Sequence, residues 1–492
     1  MNFLKLCTCF FGFFALAAQP LAAQQFTLQA DSLILCNYLT QVSEDRLYLH
    51  IAILASDSLG GRKAGEEGMK LAEQYLANQY TQFGLRSPTD ETYQQPFTIY
   101  DGVYKSQIIS NGEKSATIFP IWDGSLQESG ELVFVGQGTE KDYNGLQTKD
   151  KVVAYYYSDE RDFKSEDQNK IASANDTKQT LTIHKTATTY QKALEKSHHW
   201  SPRASLENKG DQGRKALLFN IMEEDFLMLY SPEQQKLIQA YNETGKLSGK
   251  NKRSLTQTVS LNLDYQTLPI QAANIIGVVE GSDLKEEVIV LSAHYDHLGA
   301  ENGKVYHGAD DNASGAAAVL ELARLFAQAK EEGNGPRRTL VFAQFSAEEE
   351  GLLGADYYVQ HPLYPLENTV ANLNFDMVGR VSEFNKENPD YVYVIGGGEP
   401  DEEIYQLNAQ SQQSYLPQLR LYYTFNGTAK GLYKRSDQYL FIKNGIPALF
   451  FTDQMEADYH QATDTADKID LRQLKLRTQL GFATAWELAN RD

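Results

Sequence analysis

The chain is poor in cysteine, poor in basic charge relative to acidic, and free of long apolar runs beyond its first residues. Three of its 492 residues are cysteines. Cys7 and Cys9 lie in an apolar N-terminal stretch, so past that stretch Cys36 stands alone and an intramolecular disulfide is excluded. Stability must then come from core burial. Lys and Arg number 45 against 65 Asp and Glu, a formal net charge of −20. A chain this acidic repels phosphate, which argues against nucleic acid as a partner. From residue 24 onward no segment is apolar enough to span a bilayer, so no transmembrane segment is expected.

Residues 1–23 combine Lys5, the apolar "CTCFFGFFALAA" and the small "LAA" before Gln24. That pattern predicts a secretory signal peptide, too short to be a membrane span, with export to the periplasm or beyond. No cysteine near the cleavage region is placed for a lipid anchor. Residues 24–102 read as the N-terminal part of the main domain, helical from Asp45 to Leu85, with "RLYLHIAILAS" and "GEEGMKLAEQYLANQYTQFGL" joined by the Gly-rich "SDSLGGRKAG" and stopped near Gly84. Residues 103–265 change character. Short β-like runs such as "ELVFVGQG", "DKVVAYYYS" and "KALLFNI" flank a polar stretch, Asp159 to Lys196, that reads as a mobile excursion. This region reads as an inserted β-rich domain without chemistry of its own.

Residues 266–492 alternate strand and helix: "VIVLSA", "SGAAAVLELARLFAQAK", "RTLVFAQF", "LLGADYYVQH", "VANLNF", "YVYVIG", "EEIYQLNAQSQ", "IPALFF" and a closing helix from about Leu471. Continuous apolar strands imply cover on both faces. The expectation is an α/β three-layer sandwich with a mixed, mostly parallel central sheet, plus the inserted β-rich domain.

Chemistry-bearing residues fall just beyond these strands: His294 and Asp296 in "SAHYDH", Asp310 and Asp311 in "GADDNASG", Glu348 and Glu349 in "FSAEEEG", Asp376 in "NFDMVG" and His460 in "DYHQATDT". In open α/β sheets, sites form beyond the carboxyl ends of the strands. Each residue has a plainer reading. A histidine after a buried strand is often structural, Asp311 could cap a helix, and Glu348 with Glu349 could be an acidic first turn. Those readings do not explain why all the candidates gather at strand ends. Imidazole and carboxylate donors without thiolates suit a catalytic zinc site, though manganese or cobalt would accept the same donors.

These segments resemble the M28 family of zinc-dependent aminopeptidases and carboxypeptidases, from His294 through His460. "LASDSLGGRKAG" resembles the family's N-terminal segment, and the middle region more weakly resembles a protease-associated domain. The resemblance implies two zinc ions per chain. One would take His294, Asp311 and Asp376; the other would take Asp311, Glu349 and His460. It makes Asp311, and not Asp310, the bridging carboxylate. Asp296 is implied as the partner orienting His294, Glu348 as the general base, and Tyr459 as a group stabilising the tetrahedral intermediate. Gln438 departs from the family, where histidine is frequent. His297 and His307 read as rim residues.

The implied reaction is hydrolysis of short peptides at two cations about 3.5–4 Å apart, with Glu348 shuttling the water proton. Release of residues from free N-termini is favoured, because Asp310, Glu348, Glu350 and Asp376 would attract an α-ammonium. Three alternatives stay open. A glutaminyl-cyclase-like acyltransferase would need one zinc. A binding module without catalysis should lack ligands. A carboxypeptidase or dipeptidase would need a positive pocket, for which Arg380, Arg420 and Arg435 are candidates. The middle region is expected to cap the cleft and restrict it to short peptides.

Overall fold

The computed structural model describes residues 32–491, apart from 90, 121–124, 161–162, 191–203, 208–217, 302, 397–401, 424–431 and 455–456. The expected signal segment, residues 1–23, lies outside the described residues. Among the described residues no helix is long and apolar enough to cross a membrane.

Three helices come first: α1 (Ser32–Thr40), α2 (Glu44–Leu54) and α3 (Glu67–Gln82). Helix α2 starts where Ser43 accepts the Arg46 N–H at 3.3 Å, with Glu44 and Asp45 in its positive first turn. The long strand β1 (Gln94–Ser110) then leads into the middle region. There β2 (Leu126–Phe134), β3 (Val152–Tyr156), β4 (Gln179–His184) and β5 (Leu218–Met222) pair in parallel, in that order. The chain returns along the 23-residue strand β6 (Gln257–Val279).

The remaining elements are β7 (Leu284–His294), α4 (Gly315–Glu331), β8 (Arg338–Phe345), α5 (Leu353–Gln360), β9 (Thr369–Phe375), β10 (Tyr391–Gly396), α6 (Glu402–Tyr415), β11 (Arg420–Tyr422), α7 (Gln438–Lys443), β12 (Ala448–Thr452) and α8 (Leu471–Asn490). The sheet order is β11-β10-β12-β9-β7-β8-β6. Strands β8, β7, β9 and β12 are adjacent and parallel, β10 pairs antiparallel with β12 but parallel with β11, and β6 pairs antiparallel with β8. The sheet is therefore mixed and mostly parallel.

Each strand sends alternate residues to two separate cores. Ile289, Leu291, Leu340, Phe342 and Leu373 pack with α4 and α8 on one face. Val288, Val290, Val341, Ala343 and Phe345 pack with α5 and α7 on the other. Cover on both faces makes these strands mostly apolar, and their buried polar residues Ser292, Gln344, Asn372 and Asn374 are each hydrogen-bonded.

The middle region buries its own core, built on Phe134, Tyr156, Leu181, Phe219 and Ile221. It is less purely β than expected, since helices over Ser165–Ala174 and Pro232–Thr244 accompany its four parallel strands. The reading of Asp159–Lys196 as a mobile excursion is corrected. The segment contains β4, whose six residues are all buried, and the preceding helix. The β-branched "TLTI" is a true strand whose pattern is masked by charged neighbours. Strands β1 and β6 form one antiparallel ribbon, and Val103 sits opposite Gln266 in it. The expected boundaries at 103 and 265 thus fall beside the same rung of a continuous ribbon.

Candidate metal centre

Because β8, β7, β9 and β12 are parallel neighbours, their carboxyl ends share one edge. His294 is the last residue of β7, Asp376 follows β9, Glu348 and Glu349 lie just past β8, and His460 sits in the turns after β12. Asp311 comes from the turn ahead of α4. In that turn Gly308 adopts a left-handed φ of 58°, and a Cβ there would meet the Asp311 carbonyl and the His297 ring. The Asp311–Asn312 peptide is cis. Ala347, Met377 and His460 itself hold left-handed φ of 56°, 56° and 55°. Non-glycine residues rarely adopt that conformation, and they gather where side chains must be aimed against backbone preference.

Asp311 stands between two imidazoles. Its Oδ1 is 3.4 Å from His294 Nε2, and its Oδ2 is 3.3 Å from His460 Nε2. Asp376 Oδ1 is 3.4 Å from His294 Nε2, and Glu349 Oε2 is 3.2 Å from His460 Nε2. Donors held about 2.1 Å from a tetrahedral ion would stand about 3.4 Å apart. His294, Asp311 and Asp376 offer donor atoms all within 4.8 Å of one another. His460 Nε2 is buried without a hydrogen bond. These residues fit zinc on nitrogen and oxygen donors.

Electrostatics say the same. Burial would discharge His294, but Asp376, Glu348, Asp296 and Asp311 outweigh it and hold the imidazole well above its ordinary range. His460 is pushed up to about 10 against burial, by Glu349 and Asp311. Asp311 and Glu349, though buried, are held low by the facing histidines, Glu349 at about 2. Burial pushes Glu348 well up, with Glu349, Asp437 and Asp376 adding to it against His294. So much buried carboxylate calls for cations.

The other residues take distinct places. Asp296 stands with its carboxylate 3.6 Å from His294 Nδ1, and its two oxygens accept the Glu348 and Glu349 N–H groups at 3.1 and 3.2 Å. It therefore fixes the glutamate loop as well as facing the histidine. Asp310 turns away from the donors, its Oδ1 accepting the Gly379 N–H at 2.8 Å. Tyr459 lines the same pocket and stacks on His460, ring centroids 3.8 Å apart. His307 sits at the edge, 2.7 Å from Asp57. The reading of His297 as a rim residue is corrected: its side chain is fully buried, with Nδ1 2.8 Å from Glu349 Oε1. Burial between Gly308 and the Glu349 loop makes it part of the centre.

Two buried aspartates escape the sequence reading. Asp464 accepts the backbone N–H groups of Asp310 and Asp311 at 2.9–3.1 Å and so holds the bridging turn. Asp437, at the start of α7, is fully buried and pushed up to about 8 by that burial, with Asp296 and Asp376 adding and His294 opposing. Arg62, from the early Gly-rich loop, is also fully buried, and donates to the carbonyls of Leu54, Tyr295, His307 and Gly308.

Comparison with known proteins bears on the same region. A family model described as Peptidase family M28 matches residues 274–484. A probable zinc metalloprotease of Leptosphaeria maculans is 27% identical over 271 residues, covering 48% of this chain and 61% of that protein. Aminopeptidase YwaD of Bacillus subtilis is 27% identical over 248 residues, covering 49% and 50%. The chain thus spans less than two-thirds of either relative. The solved structure of BSAP, a zinc aminopeptidase from Bacillus subtilis, superposes with a TM-score of 0.57 at 19% identity, covering 91% of this chain and 96% of that one. At that identity the likeness establishes the fold.

Proposed function

We propose that the chain, whose residues 274–484 match the model of Peptidase family M28, is a zinc-dependent exopeptidase. It works with two metal ions and releases single residues from the free N-termini of short peptides. The observation that carries the reading is Asp311, which offers one carboxylate oxygen toward each of two imidazoles. His294, Asp311 and Asp376 would hold one ion; Asp311, Glu349 and His460 would hold the other.

Bound zinc supplies Lewis acidity toward the scissile carbonyl and lowers the pKa of a water. Glu348 takes the proton of the attacking water and passes it to the leaving amine, a role worth about 10²–10⁴-fold in rate. Its carboxylate stands 4.0 Å from His294 Nε2, beside the donors and lining the same pocket. Tyr459, which lines the same pocket, would donate its hydroxyl to the developing oxyanion. The surrounding acids hold the substrate α-ammonium, an attraction that grows as the cleft dries. Glu350 adds less to that field: half-buried, it is pushed up to about 7 by burial and Asp101, against Lys63, and so carries only part of a charge at neutral pH. Asp101 lies on β1, so the ribbon leading to the middle region borders the site. On this reading the middle region limits access to short peptides, and the N-terminal segment directs export.

The test is elemental analysis with activity. Purified enzyme should carry two zinc ions per chain and lose activity to a chelator, and zinc should restore it. One ion at full activity would remove the dinuclear reading. N-acetylated peptides should be poor substrates; if C-terminal amidation abolishes turnover while acetylation does not, the polarity is reversed.

A further inference from the structure

The pocket that holds the donors has a second wall. Beside His294 and Asp311 it is lined by Met377, Leu432, Phe450 and Thr452, and by one arginine, Arg435. The other two candidate arginines are accounted for elsewhere. Arg380 is tied to Asp458 at 2.9 Å and Asp464 at 3.7 Å. Arg420 lies on the edge strand β11 and is not among the pocket residues. Arg435 differs from both. Among the described residues its guanidinium has no ion pair or hydrogen bond, although it shares a pocket with Asp311, Glu348, Glu349 and Asp376.

Its backbone is held firmly. The Arg435 N–H donates to the Leu432 carbonyl at 3.0 Å. The next two residues, Ser436 and Asp437, are fully buried, and Ser436 accepts from Asn374 of β9 at 2.8 Å. An arginine fixed at its base, exposed at its tip and uncommitted to the neighbouring acids is placed to meet an anion arriving from solvent. A guanidinium takes a carboxylate through two parallel hydrogen bonds.

We propose that Arg435 anchors a carboxylate of the substrate, in the same pocket as the acids that take its ammonium. The proposal rests on the peptidase reading above and names its substrate class: short zwitterionic peptides whose carboxylate lies close to the cleaved bond. That carboxylate comes either from the free C-terminus of a di- or tripeptide or from an acidic N-terminal side chain.

The experiment compares paired substrates on the full, zinc-loaded chain. Alanyl-alanine is set against its C-terminal amide, and glutamyl p-nitroanilide against glutaminyl p-nitroanilide, in wild type, Arg435→Met and Arg435→Lys. Wild type should favour the carboxylate of one pair. Arg435→Met should collapse that kcat/KM ratio by about tenfold or more, mainly through KM, with Arg435→Lys between the two. Added salt should shrink the wild-type ratio and leave the Arg435→Met ratio alone. A collapse in the first pair identifies the C-terminus as the source; a collapse in the second identifies the side chain. If Arg435→Met leaves both ratios at their wild-type values, the proposal is overturned. Should wild type cleave none of these substrates, the peptidase reading fails on its own. The anchor is then judged from the dissociation constants of alanyl-alanine and its amide in both proteins, where equal ratios overturn it.

Discussion

His297 Nδ1 lies 2.8 Å from Oε1 of Glu349, while the other oxygen of that carboxylate is 3.2 Å from His460 Nε2. One glutamate is thus held from both ends: one oxygen faces the donor cluster, and the other is fixed by a buried imidazole. His297→Ala should weaken zinc binding at the site proposed for Asp311, Glu349 and His460 by about 10–100-fold, the usual cost of losing a group that orients a ligand. Competition against a chromogenic chelator measures this, and unchanged affinity would show that the contact is incidental.

Glu348 and Glu349 are neighbours with opposite surroundings, one pushed up by burial and the other held at about 2 by histidines. Glu348→Gln should keep both metals and lower kcat by several powers of ten. Glu349→Gln should lose one metal. Metal content and turnover of the two purified variants separate the roles; two active, fully loaded variants would refute the assignment.

His50 makes the structure sensitive to acid away from the centre. Burial depresses it to about 4, partly offset by Glu321 and reinforced by Arg46, while Nδ1 meets the Tyr75 hydroxyl at 2.7 Å. An unfolded histidine titrates near 6.5. Between those values the unfolded chain binds the extra proton. Stability is therefore complete above about pH 6.5 and is lost as pH falls toward 4, by up to about 3 kcal/mol. His50→Gln should show a smaller drop in Tm between pH 7 and pH 5 than wild type does. Parallel melting curves would count against this.

Arg62 ties the early loop to the bridging turn through four backbone carbonyls, among them those of His307 and Gly308. Arg62→Met would strand buried acceptors at about 1–3 kcal/mol each. The expected loss is at least about 3 kcal/mol in a denaturant titration, together with weaker zinc binding, because the turn carrying Asp311 is released. A loss below about 1 kcal/mol would show that water replaces the guanidinium.

How far the sequence is legible follows from what each residue needs. "VIVLSA" and "RTLVFAQF" declare themselves as covered strands, because a residue facing either core must be apolar or small. Once those strands are parallel neighbours, residues at their carboxyl ends meet whatever their separation along the chain. That is how His294, Glu348 and Asp376 come to line one pocket. His297 is opaque for a specific reason: three residues past His294 the chain is in loop, where spacing does not say which side is buried. Asp464 and Arg62 act on backbone groups contributed by distant loops, so no local pattern marks them. Asp437 is hidden in "RSDQYLF", where Gln438 draws the attention although it only donates to the Tyr433 carbonyl. Strand β4 is obscured by composition, six buried residues set among charges.

The β1–β6 ribbon gives the molecule a mechanical property. Strand β6 pairs with β2 at Gln257–Leu263 and with β8 at Ile275–Val279, so a single covalent strand joins the middle region's strands to the catalytic edge in one continuous sheet. It works as a beam rather than a tether. Turning the middle region relative to the catalytic edge means bending or twisting two hydrogen-bonded strands, whose ladder is interrupted between Tyr104 and Ser106. Force applied to the middle region would reach β8, and through it the Glu348–Glu349 loop, within the same sheet. Cutting out the middle region would sever both strands of the beam at once, leaving Gln94–Gly102 paired with Thr267–Ile275 as two short stubs on the edge of β8.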